Sequence, residues 1–264
     1  MDLGLQGKLI VVTGGGAGIG AGISRACIAE GARVVVLGRH SQNVEDFMVE
    51  MKGAGATCDL VEAHLEDTAR CKSAIAEIEK KFGEGDGIFG LVNNAGVNDG
   101  VGLASGSVER FVESLQKNLV HYYALAHYAL PALKRAKGSI VNISSKVALT
   151  GQGNTSGYAA SKGAQLSLTR EWAAELLPDG IRVNAVLPAE VMTPLYERWL
   201  KTLGDPDAKL REITSKIPLG HRMTTQAEIA AATVFLLSPT QSGHTTGQHL
   251  IVDGGYVHLD RALT

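Results

Sequence analysis

Ser145, Tyr158 and Lys162 have the residue types and spacing of a proton-transfer site. A helix that starts near Tyr158 would place Lys162 one turn further along the same face, with its ammonium beside the phenol. A nearby cation favours the phenolate, so we expect the pKa of Tyr158 to fall from its ordinary value of about 10. Ser145, at the end of a preceding strand, could hold the oxygen that loses its proton. The alternative is a chance tyrosine–lysine pair on a solvated helix.

Short apolar runs alternate with helix-length segments along the chain. The runs are residues 8–13, 33–37, 58–65, 87–92, 139–143, 181–187 and 249–252. Continuous runs of Val, Ile and Leu are typical of strands that are buried on both faces of a sheet. The pattern therefore predicts an α/β fold in which helices cover a mainly parallel, seven-stranded sheet.

Length and composition favour one compact domain. The chain has 264 residues, of which 45% are hydrophobic and 20% are charged, and this is enough to bury a sizeable core. No repeat, low-complexity tract or flexible linker divides it, so we predict a single domain over residues 1–264. Residues 193–218 interrupt the strand rhythm with aromatic and charged residues. We predict that this segment is a flap over the substrate site.

The charge balance argues against nucleic acid and membranes as partners. With 25 basic and 27 acidic residues the formal net charge is -2, and the two signs are well mixed. The N-terminus lacks the apolar segment of a signal peptide, and nothing approaches an apolar span of about 18 residues. These observations predict a cytoplasmic protein that acts on a small molecule.

The cysteines and histidines do not indicate a metal site. Cys27, Cys58 and Cys71 form no CxxC pair and leave an odd number, which disfavours disulfides and zinc clusters. We expect them to be small apolar residues in a reducing compartment. The 8 histidines show no paired ligand spacing, so we predict no catalytic metal.

The segment TGGGAGIG follows the first strand and opens a helix. Glycine allows a tight turn and a close approach of the backbone to a ligand, and the amides at the helix N-terminus suit a pyrophosphate. Any strand-to-helix connection can contain glycines, but this context favours a dinucleotide site.

The end of the second strand favours NADP over NAD. An NAD site usually has an acidic residue about 20 positions after the glycines, and here that place holds Gly38, followed by Arg39. A guanidinium without a neighbouring carboxylate would accept a 2′-phosphate. The alternative is that Arg39 stacks on the adenine of NAD.

Three further polar segments follow or interrupt apolar elements. In LVNNAG, Asn93 and Asn94 end a strand and either line the cofactor cleft or tie neighbouring strand ends together. Asn118 lies inside an apolar helix, where it must be hydrogen-bonded. In LPAEVMT, the backbone of Val191 and the hydroxyl of Thr193 could hold a nicotinamide carboxamide.

Together these segments resemble the classical short-chain dehydrogenase/reductase family, in the same order across nearly the whole chain. The resemblance implies a Rossmann-type, doubly wound sheet, hydride transfer with a nicotinamide cofactor, and a homotetramer. It also implies a catalytic tetrad of Asn118, Ser145, Tyr158 and Lys162. Tyr158 would be the general base, Ser145 would orient the substrate oxygen, and Lys162 would lower the tyrosine pKa and hold the ribose. Asn118 would anchor a relay water.

The resemblance extends to the cofactor contacts, with two departures. Ala189 stands where the family often has the glycine of a Pro-Gly pair, and His64 stands where an aspartate is expected near the adenine. The predicted cofactor-binding residues are Gly14, Ala17, Gly18, Ile19, Gly20, Arg39, His64, Leu65, Asn94, Ala95, Gly96, Tyr158, Lys162, Pro188, Val191 and Thr193.

Longer segments resemble one branch of this family, the bacterial L-fucose dehydrogenases. They are NNAGVNDGVGL, SSKVALTGQGNTSGYAASKGAQLSLTREWA and PAEVMTPLYERW. This implies oxidation of the anomeric hydroxyl of L-fucose, or a related aldose, to the aldonolactone. A polyol needs many partners, because each buried hydroxyl left unpaired costs about 1–3 kcal/mol. The candidate substrate contacts are Asn98, Asp99, Ser145, Gln152, Asn154, Tyr158, Glu190, Tyr196 and Trp199.

Two other functions stay open at this point. A reductase of ketones or 3-oxoacyl thioesters would have an apolar or basic mouth rather than Gln152, Asn154 and Glu190. A non-catalytic nucleotide-binding scaffold is disfavoured, because both Tyr158 and Lys162 are present.

Overall fold

Seven parallel strands form one sheet in the order β3-β2-β1-β4-β5-β6-β7. The computed structural model describes residues 2–83 and 85–259, so Met1, Glu84 and residues 260–264 of the predicted domain lie outside the described residues. The strands are β1 (Leu9–Thr13), β2 (Arg33–Gly38), β3 (Cys58–Glu62), β4 (Gly90–Asn93), β5 (Ser139–Ile143), β6 (Arg182–Pro188) and β7 (His249–Val252). The predicted α/β class and the doubly wound parallel sheet are confirmed.

Helices connect successive strands. They are α1 (Gly18–Ala29), α2 (Gln42–Gly53), α3 (Thr68–Phe82), α4 (Val108–Leu115), α5 (His121–Ala136), α6 (Ser156–Glu175), α7 (Pro194–Leu200), α8 (Pro206–Ser215) and α9 (Gln226–Leu237). A π-helical turn, Gln116–Val120, joins α4 to α5. The predicted flap contains α7 and α8, and its closure over a substrate stays a prediction, as does the single-domain organisation.

The core has two layers because side chains alternate across the sheet. Leu9 and Val11 of β1 pack on the face covered by α3, α5 and α6. Ile10 and Val12 pack on the other face, with α1, α2 and α9. This two-sided burial explains why a central strand such as β1 is a nearly continuous apolar run. Because all strands point the same way, the segments that follow β1, β4, β5 and β6 meet at one edge of the sheet.

Two features bear on the expected location of the protein: the helices and the cysteines. Within residues 2–83 and 85–259 no helix is long and apolar enough to span a bilayer. All three cysteines are free thiols: Cys27 and Cys71 are buried, whereas Cys58 is half-buried. The cellular compartment stays a prediction.

Candidate active site

The turn between β1 and α1 brings backbone amides to the carboxyl edge of the sheet. Gly14 has a φ of +62°, in the left-handed region that favours glycine. A Cβ on Gly20 would lie 2.2 Å from the carbonyl oxygen of Gly14, so only glycine allows α1 to start this close to the turn. The free amides and the positive end of the α1 dipole then lie at the opening.

A cleft of about 990 Å³ runs along this edge of the sheet. Fourteen of the predicted cofactor residues line it: Gly14, Ala17, Gly18, Ile19, Arg39, Leu65, Asn94, Ala95, Gly96, Tyr158, Lys162, Pro188, Val191 and Thr193. Gly20 lies behind the turn and shapes it. The structure does not bring His64 to the cleft, because its side chain is 63% exposed beside Glu66, and Ala63 and Leu65 form the wall instead.

The shape and donors of the cleft fit a nicotinamide dinucleotide. The glycine turn would hold the pyrophosphate on backbone amides, since side chains there would fill the space. Arg39 lies at the end of β2, where an adenosine ribose would be placed, and the cleft continues to Tyr158 and Lys162. The residues present therefore supply both the phosphate site and a neighbouring proton donor or acceptor.

Asn93 and Asn94 tie strand ends together, as the structural alternative proposed. The side chain of Asn94 donates a hydrogen bond of 2.8 Å to the carbonyl of Thr13, and the Thr13 hydroxyl accepts from the backbone nitrogens of Asn94 and Ala95. Asn93 donates to Asn142 on β5 at 3.0 Å. Asn94 also lines the cleft, so it serves both purposes.

Ser145, Tyr158 and Lys162 converge at the cleft. The first two turns of α6 present Tyr158 and Lys162 on one face, and the Lys162 Nζ lies 5.5 Å from the centroid of the Tyr158 ring. Ser145, two residues beyond β5, lines the same cleft as Tyr158 and Lys162. Lys162 Nζ donates to the carbonyl of Ile143 at 2.8 Å. The structure therefore brings the three residues together, and their role in proton transfer stays a prediction.

The pKa shifts of this group differ from the expectation. Burial raises the pKa of the Tyr158 phenol, and the hydrogen bond from Ser145 opposes that rise. Burial also lowers the pKa of Lys162 to about 7. The expected lowering of the tyrosine pKa was wrong here, because desolvation disfavours the phenolate and the negative charges of Asp99 and Glu190 disfavour it further.

Asn118 is fully buried in the π-helical turn, and its side-chain amide and backbone carbonyl are hydrogen-bonded. Its side-chain oxygen accepts from the backbone nitrogen of Val97 at 2.8 Å, and its side-chain nitrogen donates to the carbonyl of Ser114 at 3.0 Å. Its backbone carbonyl accepts from the side chain of Gln165 at 2.7 Å. The side chain of Asn118 therefore holds the segment after β4, while its carbonyl points toward α6.

Asp99 has a structural role that the sequence did not indicate. One carboxylate oxygen accepts from the backbone nitrogen of Tyr158 and from the hydroxyl of Ser114, each at 2.6 Å. The other oxygen accepts from the backbone nitrogen of Val101 at 3.0 Å. These three bonds hold the Asp99 carboxylate at the start of α6, and its contact with a substrate stays a prediction.

The predicted substrate residues divide into two groups. Ser145, Tyr158 and Tyr196 line the cleft. Glu190 lies beside it, where its carboxylate accepts a 2.8 Å bond from the Tyr196 hydroxyl and pairs with Lys146.

The second group lies away from the cleft. Gln152 and Asn154 are exposed, Trp199 packs edge-on against Tyr196 at 5.1 Å, and Asn98 lines a separate cavity of about 220 Å³. The structure does not bring these four residues to the proton-transfer group.

Sequence reasoning missed three polar residues near the site, of which Gln165 and His121 are buried and Lys146 is half-buried. Lys146 follows Ser145 directly, and its ammonium lies 4.3 Å from the ring centroid of Tyr256. Gln165 lies three residues after Lys162 on α6, a spacing that could have suggested contact. His121 lines the cleft, and burial lowers its pKa to about 4. Among the described residues no three His, Cys, Asp or Glu side chains are grouped as metal ligands.

Comparisons with known proteins show which proteins this chain resembles. A family model described as enoyl-(acyl carrier protein) reductase matches residues 14–257. L-fucose dehydrogenase of Bos taurus is 38% identical over 250 residues, which cover 94% of this chain and 89% of that protein. The crystal structure of Cj0485 dehydrogenase is 44% identical and covers 100% of this chain and 99% of its own, with a TM-score of 0.93. Ligand-free aldohexose dehydrogenase of Thermoplasma acidophilum is 32% identical over 97% of this chain and 96% of its own, with a TM-score of 0.85.

Proposed function

Because this chain belongs to the short-chain dehydrogenase/reductase family of NAD(P)-dependent oxidoreductases, we propose that it oxidises the anomeric hydroxyl of L-fucose or a related aldose to the aldonolactone. The observation that carries the proposal is the convergence of Ser145, Tyr158 and Lys162 at a cleft that fits a nicotinamide dinucleotide. The chain is also similar to sugar dehydrogenases.

The proposed chemistry assigns one role to each polar group. A nicotinamide cofactor bound in the cleft would supply the acceptor for the hydride that leaves the sugar carbon. Tyr158 takes the hydroxyl proton as general base, and Ser145 donates a hydrogen bond that orients the reacting oxygen. Lys162 in its ammonium form stabilises the phenolate. Two of its N–H groups donate to the Ile143 carbonyl and the Gln165 side chain, and the third could donate to a ribose hydroxyl in the cleft. Asn118 would support this group by holding the segment after β4.

The mouth of the cleft supports a polyhydroxylated substrate. Glu190 and Lys146 form an ion pair whose side chains are only 14% and 12% exposed, and the Tyr196 hydroxyl completes the network. Such a network offers both hydrogen-bond donors and acceptors on mostly buried side chains, which suits a substrate with several hydroxyls. Gln152 and Asn154 are exposed, and their contact with a substrate stays a prediction.

We propose NADP as the preferred cofactor. Arg39 lines the cleft beside Gly38, and no carboxylate occupies the position where it would repel a 2′-phosphate. Glu66 also lines the cleft, so NAD remains the alternative.

A reductase of ketones or 3-oxoacyl thioesters is the second candidate, because the matching family model carries a reductase description. The buried ion pair at the mouth disfavours it, since an acyl chain would bury charges without hydrogen-bonding them. A non-catalytic scaffold would not need Tyr158 and Lys162 together.

We further propose a single domain, a closing flap at residues 193–218, a homotetramer and a cytoplasmic location. Exposed apolar residues on α4 and α5, including Val108, Val112 and Tyr123, support association between copies. The three free cysteines support a reducing compartment.

The substrate proposal is tested by following formation of NADPH and NADH with L-fucose and with the isomers of arabinose and galactose. We expect the highest kcat/KM with L-fucose and NADP. Absence of turnover with every aldose would reject the proposal, and consumption of NADPH with a 3-oxoacyl thioester would favour the reductase.

A further inference from the structure

The side chain of Gln165 bridges two parts of the site. It is fully buried, its oxygen accepts from Lys162 Nζ at 3.3 Å, and its nitrogen donates to the carbonyl of Asn118 at 2.7 Å. Because a carbonyl can only accept, the bond to Asn118 fixes which end of the amide faces the lysine. The oxygen of Gln165 is therefore held toward the ammonium.

The surroundings of Lys162 make this oxygen important. The other hydrogen-bond acceptor is the carbonyl of Ile143 at 2.8 Å. From α5, the ring of Tyr122 lies 5.6 Å from Nζ, and His121 also faces this region. The Tyr158 ring faces Nζ from α6 itself.

Lys162 has no acidic partner in the described part of the chain. None of the ion pairs there includes Lys162. The charges of Asp99 and Glu190 instead raise the pKa of the Tyr158 phenol. A buried ammonium with two neutral acceptors depends strongly on each of them, because no opposite charge compensates its desolvation.

We propose that Gln165 is a positioning residue that holds Lys162 in its ammonium form and aims it at the cleft. Its effect on the charge of Lys162 follows from the geometry alone, whereas the kinetic consequence rests on the proposed function. Since Lys162 would stabilise the phenolate, loss of the Gln165 oxygen weakens proton abstraction without removing a group that touches the substrate.

The direct test follows the protonation of Lys162 by NMR, with isotope-labelled lysine and assignment by a Lys162→Arg variant. Gln165→Met keeps nearly the same volume but removes the acceptor, so the titration midpoint of Lys162 should fall by about one to two pH units. Gln165→Glu places a carboxylate at the same point, so the midpoint should rise. Unchanged midpoints in these variants would overturn the proposal, and either variant decides it if the other fails to fold.

A matched control separates this effect from general damage to α6. Thr169, also fully buried, donates to the carbonyl of Gln165 and accepts from Asn142, but it does not contact Lys162. Thr169→Val should lower stability and leave the Lys162 midpoint unchanged. A shift in Thr169→Val as large as that in Gln165→Met would mean that packing, not the amide oxygen, sets the midpoint.

The kinetic test uses the pH profile of kcat/KM. In Gln165→Met the acidic limb should move to higher pH by about one unit, with little change in KM. A profile that superimposes on the wild type would reject the catalytic consequence. If no aldose is oxidised, the NMR titration still decides the role of Gln165, so failure of the substrate proposal is distinguishable.

Discussion

The carboxylate of Asp99 accepts a hydrogen bond of 2.6 Å from the backbone nitrogen of Tyr158, which lies 59 positions later in the chain. Thr155, immediately before α6, makes no side-chain cap, so Asp99 satisfies an amide that the helix itself leaves unpaired. The loop after β4 thereby fixes the turn of α6 that carries the proposed base. Asp99 can control the position of the phenol without touching the reacting atoms.

Asp99→Ala should weaken both folding and catalysis. Loss of the bonds to Tyr158 and Ser114 should lower the free energy of unfolding by about 1–3 kcal/mol, because the cap has no local substitute. We expect kcat to fall about tenfold or more as the phenol loses its alignment. Urea unfolding and steady-state kinetics measure the two effects, and Asp99→Asn should show smaller losses. An Ala variant with wild-type kcat would refute the positioning role.

Tyr158→Phe tests the proposed base directly. Removal of the hydroxyl should lower kcat by about 10²- to 10⁴-fold, the usual contribution of a positioned acid or base. Binding of the nicotinamide cofactor, followed by fluorescence, should change only a few-fold. Tyr123→Phe alters an exposed phenol on α5 and is the control. Turnover at ordinary rates in Tyr158→Phe would mean that another group takes the proton.

Lys146→Met should impair substrate binding more than cofactor binding. The change leaves the mostly buried carboxylate of Glu190 without its cation, so we expect KM for the sugar to rise about tenfold or more. Adding Glu190→Gln removes the unpaired charge and should recover part of the loss. A double-mutant cycle on KM measures the coupling. Strictly additive effects would show that the pair does not act as a unit.

Arg39→Leu should reduce the preference for NADP. A guanidinium that binds a 2′-phosphate makes charge-assisted bonds, and their loss should raise KM for NADP about tenfold to a hundredfold. KM for NAD should stay within about threefold, since NAD lacks that phosphate. Arg33→Leu, at the opposite end of β2 and paired with Asp59, is the matched control. Equal effects on both cofactors would instead support stacking of Arg39 on adenine.

His121 should make the protein less stable in acid. Burial lowers its pKa to about 4 in the folded protein, whereas an unfolded histidine has a pKa of about 6.5. Its stabilising effect is therefore complete above about pH 6.5 and is lost as the pH falls toward 4, by up to about 3 kcal/mol. His121→Leu should flatten the dependence of unfolding free energy on pH in this window, whereas His127→Gln, exposed on the same helix, should not. An unchanged slope in His121→Leu would exclude this group.

Local patterns in the sequence determined the sheet class and the proposed proton-transfer group. Strand runs are apolar because both faces of the sheet are buried, as Val11 and Val12 show by packing on opposite layers. Tyr158 and Lys162 lie on one face of α6 because helical periodicity acts over four residues. The polar residues at the carboxyl ends of β4 and β5 meet at one edge of the sheet because parallel strands run in the same direction.

Only the tertiary structure decided which polar residues surround that group and how they ionise. Gln152 and Asn154 precede Tyr158 in sequence but are exposed, whereas Gln165 reaches Asn118, 47 positions away, through the packing of α6 on the π-helical turn. The pKa of Lys162 falls because its ammonium is buried away from water. Burial depends on the whole fold rather than on sequence neighbours. Spacing along one helix is a local property, while desolvation and long-range hydrogen bonds depend on how distant segments pack.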